Sequence, residues 1–76
     1  MKVTIREVKN PKNKKLMTEI SGITHNPQVI EKLEKKLKSM CGAGGHTDKK
    51  TIYIQGSHLS TVESILTKDG YSVTVK

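Results

Sequence analysis

A run of lysines between residues 9 and 15 is the part of the sequence best suited to holding a charged ligand. It has no acidic residue, and two asparagines and a proline separate its lysines, which are Lys9, Lys12, Lys14 and Lys15. Ammonium groups crowded on one turn neutralise several phosphates of a polyanion and release its counterions. The spacing therefore predicts a phosphate-binding loop, and a loop that only keeps the protein soluble is the alternative.

A second group of lysines lies in the middle of the chain and consists of Lys32, Lys35, Lys36 and Lys38. Glu31 precedes Lys35 by four residues and Glu34 precedes Lys38 by four, which is the spacing of ion pairs on the exposed face of a helix. The pattern indicates either an ordinary solvated helix face or a second contact with RNA phosphates.

Residues that bind metals or attack substrates are sparse. The candidate metal ligands are Cys41, His25, His46 and His58, but only Cys41 and His46 are close in sequence and no paired-ligand spacing recurs. Gly42, Gly44 and Gly45 resemble a phosphate-binding glycine loop, yet no Lys-Ser or Lys-Thr follows, as a nucleotide-binding loop requires. We therefore predict no metal site, no cofactor and no catalytic residue.

The charge balance favours a polyanionic partner. The 76 residues include 14 Lys and Arg against 7 Asp and Glu, a formal charge of +7, so nucleic acid is the first candidate and a membrane surface the second. A chain of this length predicts one domain over residues 1–76, too small for a deep enzyme cleft. No apolar stretch approaches the ~20 residues of a spanning helix, and the N-terminus is typical of a strand rather than a signal peptide, which predicts a cytoplasmic protein without membrane attachment.

Aromatic residues are few, which bears on how RNA would be bound. Tyr53 and Tyr71 are the only two, whereas a sheet that stacks bases in the manner of an RNA-recognition motif uses two or three aromatic side chains. The composition therefore predicts contacts with the RNA backbone rather than with bases.

The elements that position these residues follow from hydrophobic periodicity. Apolar residues alternate over residues 1–8 and 16–21, which predicts two strands joined by a hairpin whose tip is the lysine run. Asn26 and Pro27 predict the N-cap and first residue of a helix. The inward stripe of that helix is expected to be Ile30, Leu33, Leu37 and Met40, and the glycines from Gly42 onward end it.

The second half of the chain repeats the alternation of strand and helix. A short strand over residues 45–47 and a strand over 51–55 precede a second helix, which Ser57 or Ser60 caps and Gly70 ends. Residues 71–75 form a last strand. The order ββαββαβ predicts an α+β two-layer sandwich, with two helices on one face of a four- to five-stranded, mostly antiparallel sheet. The other face is expected to be largely solvated, and the protein a monomer because no apolar stripe is left over.

Two segments carry a family resemblance. Residues 33–45 combine a basic helix with Cys-Gly-x-Gly-Gly, and residues 52–58 contain Ile-x-x-Gln-Gly. Together with the basic hairpin and the closing Gly-Tyr-x-Val strand, they resemble the initiation factor 1 family of archaea and eukaryotes and its bacterial homologue. The resemblance covers essentially the whole chain.

The resemblance implies a non-enzymatic translation initiation factor that binds rRNA of the small ribosomal subunit near the P site and promotes start-codon fidelity, with initiator tRNA and other initiation factors as further partners. It places the hairpin lysines and the helix lysines named above against rRNA, and it matches Gly42, Gly44 and Gly45 to the family's glycine turn. A general structured-RNA-binding module of the same fold is the alternative.

The sequence departs from the family pattern in three places. Ser57 and Leu59 stand where the family usually has an aspartate and a basic residue, the hairpin contains lysines without arginine or glycine, and the flexible N-terminal tail is not seen. We expect Ser57 still to cap the second helix and Leu59 to remove one contact with rRNA.

Overall fold

The N-terminal hairpin is present as the sequence predicts. The computed structural model describes residues 2–76, so Met1, which was expected to begin the first strand, lies outside the described residues. Strand β1 (Lys2–Lys9) pairs antiparallel with strand β2 (Leu16–Ser21), and Lys9 lies opposite Leu16. The connecting loop therefore comprises residues 10–15, and Lys9 is the last residue of β1.

Helix α1 (Pro27–Cys41) has the predicted ends. The Asn26 side chain accepts a hydrogen bond from the Val29 amide at 3.0 Å, and Gly42 ends the helix in the left-handed conformation with φ of 63°. A residue with a Cβ is strained at that φ, which explains why glycine stands there.

The predicted inward stripe of α1 is wrong at its last member. Ile30, Leu33 and Leu37 are buried, but Met40 is 60% exposed. Met40 is the second-last residue of α1 and lines the open groove between the two helices. The stripe therefore ends one turn earlier than predicted.

Helix α2 (Leu59–Lys68) begins at neither serine that the sequence proposed as its cap. His58 occupies the N-cap position and forms no side-chain capping bond, and its ring lies 2.9 Å from the Gln55 carbonyl. The His58 amide donates to the Thr18 hydroxyl, outside the helix, at 2.9 Å. The Ser57 hydroxyl instead donates to the Glu7 carboxylate. Ser60 already lies inside the first turn.

The remaining strands complete one sheet. Strands β3 (Gly45–Asp48), β4 (Thr51–Gln55) and β5 (Ser72–Val75) join the hairpin in the order β3-β4-β2-β1-β5, and only the β1–β5 pair is parallel. Both helices pack on one face of this sheet over a core that includes Ile5, Ile20, Ile52 and Ile54. The predicted α+β architecture and element order are confirmed. No helix within residues 2–76 is long and apolar enough to cross a membrane.

Candidate nucleic-acid interface

The hairpin loop is held in shape by backbone and asparagine contacts rather than by its lysines. The side-chain oxygen of Asn10 accepts from the Lys12 amide at 2.8 Å, and that of Asn13 accepts from the Lys15 amide at 2.9 Å. The Lys14 amide donates to the Asn10 carbonyl at 2.8 Å. These hydrogen bonds do not involve the lysine side chains. Within residues 2–76 no carboxylate lies within ion-pairing distance of Lys12, Lys14 or Lys15.

The loop also folds onto the sheet face that carries no helix. The Asn10 amide group lies 3.9 Å from the Met17 sulfur, and Met17 is only 7% exposed although it lies on that face. The expectation of a largely solvated second face therefore fails at Met17, because the hairpin loop covers it.

The four lysines of α1 do not act as one set. Lys35 lies 3.5 Å from Glu31 and Lys38 lies 4.0 Å from Glu34, as the spacing predicted. Lys36 instead contacts Asp69, beyond the end of α2, with nitrogen–oxygen distances of 2.8 and 2.9 Å. Lys32 is exposed and forms no ion pair with the described part of the chain.

The glycine turn is built by close backbone approach. A Cβ on Gly45 would lie 2.3 Å from the Tyr53 carbonyl oxygen, so only glycine allows β3 to pair with β4 there. A Cβ on Gly44 would meet the flexible Gln55 side chain at 3.3 Å, and one on Gly42 would meet no atom of residues 2–76 within 4 Å. Close strand packing at Gly45 and chain reversal at Gly42 thus account for two of the three glycines.

The hairpin and the glycine turn lie at the same end of the molecule. The Gln55 amide donates to the Gly44 carbonyl at 2.8 Å, and the next amide, that of Gly56, donates to the Leu16 carbonyl at 2.8 Å. The end of β4 therefore links the turn that follows α1 to the base of the hairpin. This arrangement brings the hairpin lysines, the glycine turn and the last turn of α1 with Lys38 to one end of the molecule.

A buried hydroxyl fixes the segment between β4 and α2 on this end. Thr18 is fully buried in β2, and its hydroxyl donates to the Gly56 carbonyl at 3.0 Å while accepting from the His58 amide at 2.9 Å. No sequence pattern indicated this contact, because Thr18 is only one residue of an alternating strand.

We predict that Thr18→Val lowers the free energy of unfolding by about 1 to 3 kcal/mol, because valine keeps the shape but leaves a carbonyl and an amide without their partner. Urea denaturation followed by circular dichroism measures the change. Thr18→Ser, which retains the hydroxyl, serves as the control for loss of the bridge. A Thr18→Val protein as stable as the wild type would show that the bridge contributes nothing.

A row of four directly opposed side chains crosses the helix-free face. Arg6, Glu19, Tyr53 and His46 are register partners on β1, β2, β4 and β3. The Arg6 guanidinium lies 2.6 Å from the Glu19 carboxylate, and the rings of Tyr53 and His46 stack with centroids 5.1 Å apart and planes 21° apart. Burial of the Tyr53 hydroxyl, followed by the adjacent Glu19 charge, raises the pKa of Tyr53, which therefore stays neutral at physiological pH.

The candidate metal ligands are distributed over separate places. His25 packs edge-on against Tyr71, His46 stacks on Tyr53, and the His58 ring lies 2.9 Å from the Gln55 carbonyl. Within residues 2–76 no three ligating side chains come together. Burial raises the pKa of the Cys41 thiol, which keeps it protonated and a poor nucleophile.

The sequence of this chain matches those of known proteins. Residues 1–72 match the family model described as translation initiation factor SUI1. The chain is 41% identical over 58 residues to a protein translation factor SUI1 homolog of Methanococcus vannielii, which covers 76% of this chain and 57% of that protein. The homolog of Methanocaldococcus jannaschii is also 41% identical over 58 residues, 76% of this chain and 56% of that protein. An uncharacterized protein of Synechocystis is 30% identical over 73 residues, 96% of this chain and 66% of that protein. The chain thus spans little more than half the length of the two archaeal relatives.

Proposed function

Because the chain belongs to the SUI1 family of translation initiation factors, we propose that it acts in translation initiation as a non-enzymatic factor that binds rRNA of the small ribosomal subunit near the P site. Its 76 residues act as one cytoplasmic, monomeric domain in this proposal. The family membership supports the ribosomal role, and the resemblance described above supplies the position near the P site.

The observation that carries the proposal is the shared location of the basic hairpin, the glycine turn and the end of α1. Lys9, Lys12, Lys14 and Lys15 contact phosphates from the loop side. Lys32, Lys35, Lys36 and Lys38 contact them from the helix side. Gly42, Gly44 and Gly45 contribute through the backbone, because a turn whose one side chain is the Ala43 methyl group allows close approach to the RNA.

Start-codon fidelity follows if the factor binds two states of the subunit with different affinity. A folded, positively charged wedge near the P site competes for space with a fully seated initiator tRNA, so correct codon pairing displaces it more readily than a mismatch does. Other initiation factors on the same subunit are further partners. Equal affinity for subunits programmed with correct and with incorrect start codons would exclude this mechanism.

The pairing of Lys36 with Asp69 gives a test of the helix contact. Asp69→Asn frees Lys36 for an RNA phosphate, and we expect it to tighten small-subunit binding by about two- to fivefold, the range of a surface ion pair. Glu63→Gln is the matched control, because Glu63 is an exposed α2 residue that forms no ion pair with the described residues. Equal tightening by both changes would mean that only net charge matters and that Lys36 does not contact RNA.

The experiment that tests the proposal is co-sedimentation with purified small and large ribosomal subunits at about 0.15 M salt, where non-specific attraction is screened beyond ~8 Å. Selective recovery with the small subunit supports the initiation role. Equal recovery with both subunits, or with an unrelated structured RNA, would instead indicate a general structured-RNA-binding module of the same fold. Recovery with no RNA at all would contradict both.

A further inference from the structure

The helix-free face contains a depression of which the contacts proposed so far use only the hairpin lysines. Its volume is about 520 Å³, within the ~300 to 1,000 Å³ of sites that take small ligands. Met17 and Val8 contribute apolar surface, the stacked rings of His46 and Tyr53 lie at one side, and the hairpin residues Lys9 and Lys12 lie at the other.

The paired rings provide what a planar base requires. His46 is exposed at the edge strand β3, while Tyr53 is half-buried and fixed by its neighbours on β4 and β2, so the pair is ordered but accessible. Bases stack on aromatic rings whatever their identity, since every base has a π face. The sequence analysis counted only the two tyrosines as rings on which a base could stack. The structure adds His46, which lies in register with Tyr53.

The charges around the depression favour RNA over other planar ligands. Arg6 neutralises the charge of Glu19, the one carboxylate in the row of four side chains, at a nitrogen–oxygen distance of 2.6 Å. Asp48 lies at the far end and can accept a hydrogen bond from a base amino group. Lys9 and Lys12 lie on the hairpin side and form no ion pair with residues 2–76. An RNA strand that entered the depression from this side would bring its phosphates to these two lysines.

We propose that the helix-free face binds an unpaired RNA base against the His46–Tyr53 pair, while Lys9 and Lys12 hold the neighbouring phosphates. The proposal rests on the RNA-binding function proposed above and identifies single-stranded RNA as a second ligand form on the same molecule. An unpaired base is the form of RNA proposed here, because the bases of a duplex are stacked on each other and offer no free face to a ring.

The test uses a short single-stranded oligoribonucleotide that contains 2-aminopurine, whose fluorescence is quenched when it stacks on a ring. The wild-type protein is expected to quench the probe on titration. His46→Thr, which suits an edge strand, is expected to weaken affinity by about five- to 150-fold, the effect of removing one base–aromatic stack. His25→Thr is the matched control, because it removes a histidine from another part of the molecule, and thermal unfolding of both variants verifies that they are folded.

Co-sedimentation with small subunits, run on the same proteins, separates this inference from the function on which it rests. A probe affinity that His46→Thr weakens by at least about fivefold and His25→Thr leaves unchanged supports the stacking site. No quenching by the wild type, or equal quenching by both variants, overturns the stacking site, whether or not small-subunit binding is intact. A wild-type protein that does not prefer small subunits would overturn the proposed function, even if it quenched the probe.

Discussion

Reversing the charge of three hairpin lysines, by Lys12→Glu, Lys14→Glu and Lys15→Glu together, is expected to abolish measurable binding to small ribosomal subunits at about 0.15 M salt. Three phosphate contacts become three repulsions, and the slope of log affinity against log salt should fall in magnitude by about two to three, since each lost phosphate contact removes ~0.7 to 0.9 of a unit. Fluorescence anisotropy of labelled protein, titrated with subunits at several salt concentrations, measures both quantities.

The loop should keep its shape in this variant, because the hydrogen bonds that define it come from asparagine side chains and backbone groups. The matched control reverses the charge of Lys2, Lys49 and Lys50, which lie at the opposite end of the sheet. Lys2 begins β1, and Lys49 and Lys50 form the turn between β3 and β4. Each change of lysine to glutamate removes two units of charge, so both variants carry +1 instead of +7. Equal loss of affinity in both would show that net charge, and not the hairpin, determines binding.

Gly45→Ala is expected to have the largest effect on stability of any single glycine replacement in the chain. The added Cβ would lie 2.3 Å from the Tyr53 carbonyl oxygen, a backbone atom that cannot move without breaking the pairing of β3 with β4. Overpacking of this kind costs about 2 to 3 kcal/mol of free energy of unfolding. For a domain of this size the loss lowers the melting temperature by roughly 10 to 20 °C, measurable by differential scanning calorimetry.

Gly44→Ala, one residue earlier, serves as the control. Its Cβ would meet only the Gln55 side chain, at 3.3 Å, and that flexible group can turn away, so we expect a loss below about 1 kcal/mol. Equal destabilisation by the two replacements would contradict the assignment of Gly45 to close strand packing. It would point instead to a common requirement for glycine flexibility in the turn.

Local signals predicted most of the elements correctly. Asn26 and Pro27 define the start of α1, and Gly42 ends it, because capping and left-handed conformations depend on residues adjacent in sequence. Alternation likewise predicted the hairpin, because a period of two distinguishes a half-buried strand from a helix. The order of these elements predicted the α+β fold, which the structure confirms, and the resemblance supplied the family, which the family match confirms.

Apart from the exposed Met40 at the end of α1, the errors and omissions involve contacts distant in sequence. His58 replaces Ser57 and Ser60 as the N-cap of α2, and Thr18, 40 residues earlier, holds its amide. Asp69 was not expected to pair with Lys36, since the spatial position of the end of α2 depends on how the two helices pack. The stacking of His46 on Tyr53 depends on the register of β3 with β4, which alternation alone does not determine.

The position of the hairpin on the ribosome is measured by cleavage of rRNA with hydroxyl radicals generated at a chosen position on the bound protein. An iron chelate is attached through Pro11→Cys in the hairpin loop or through Lys50→Cys at the opposite end, each in a Cys41→Ser background. We expect strong cleavage of small-subunit rRNA around the P site from the hairpin position and weak cleavage from the opposite end. Equal cleavage from both positions, or cleavage confined to the large subunit, would contradict it.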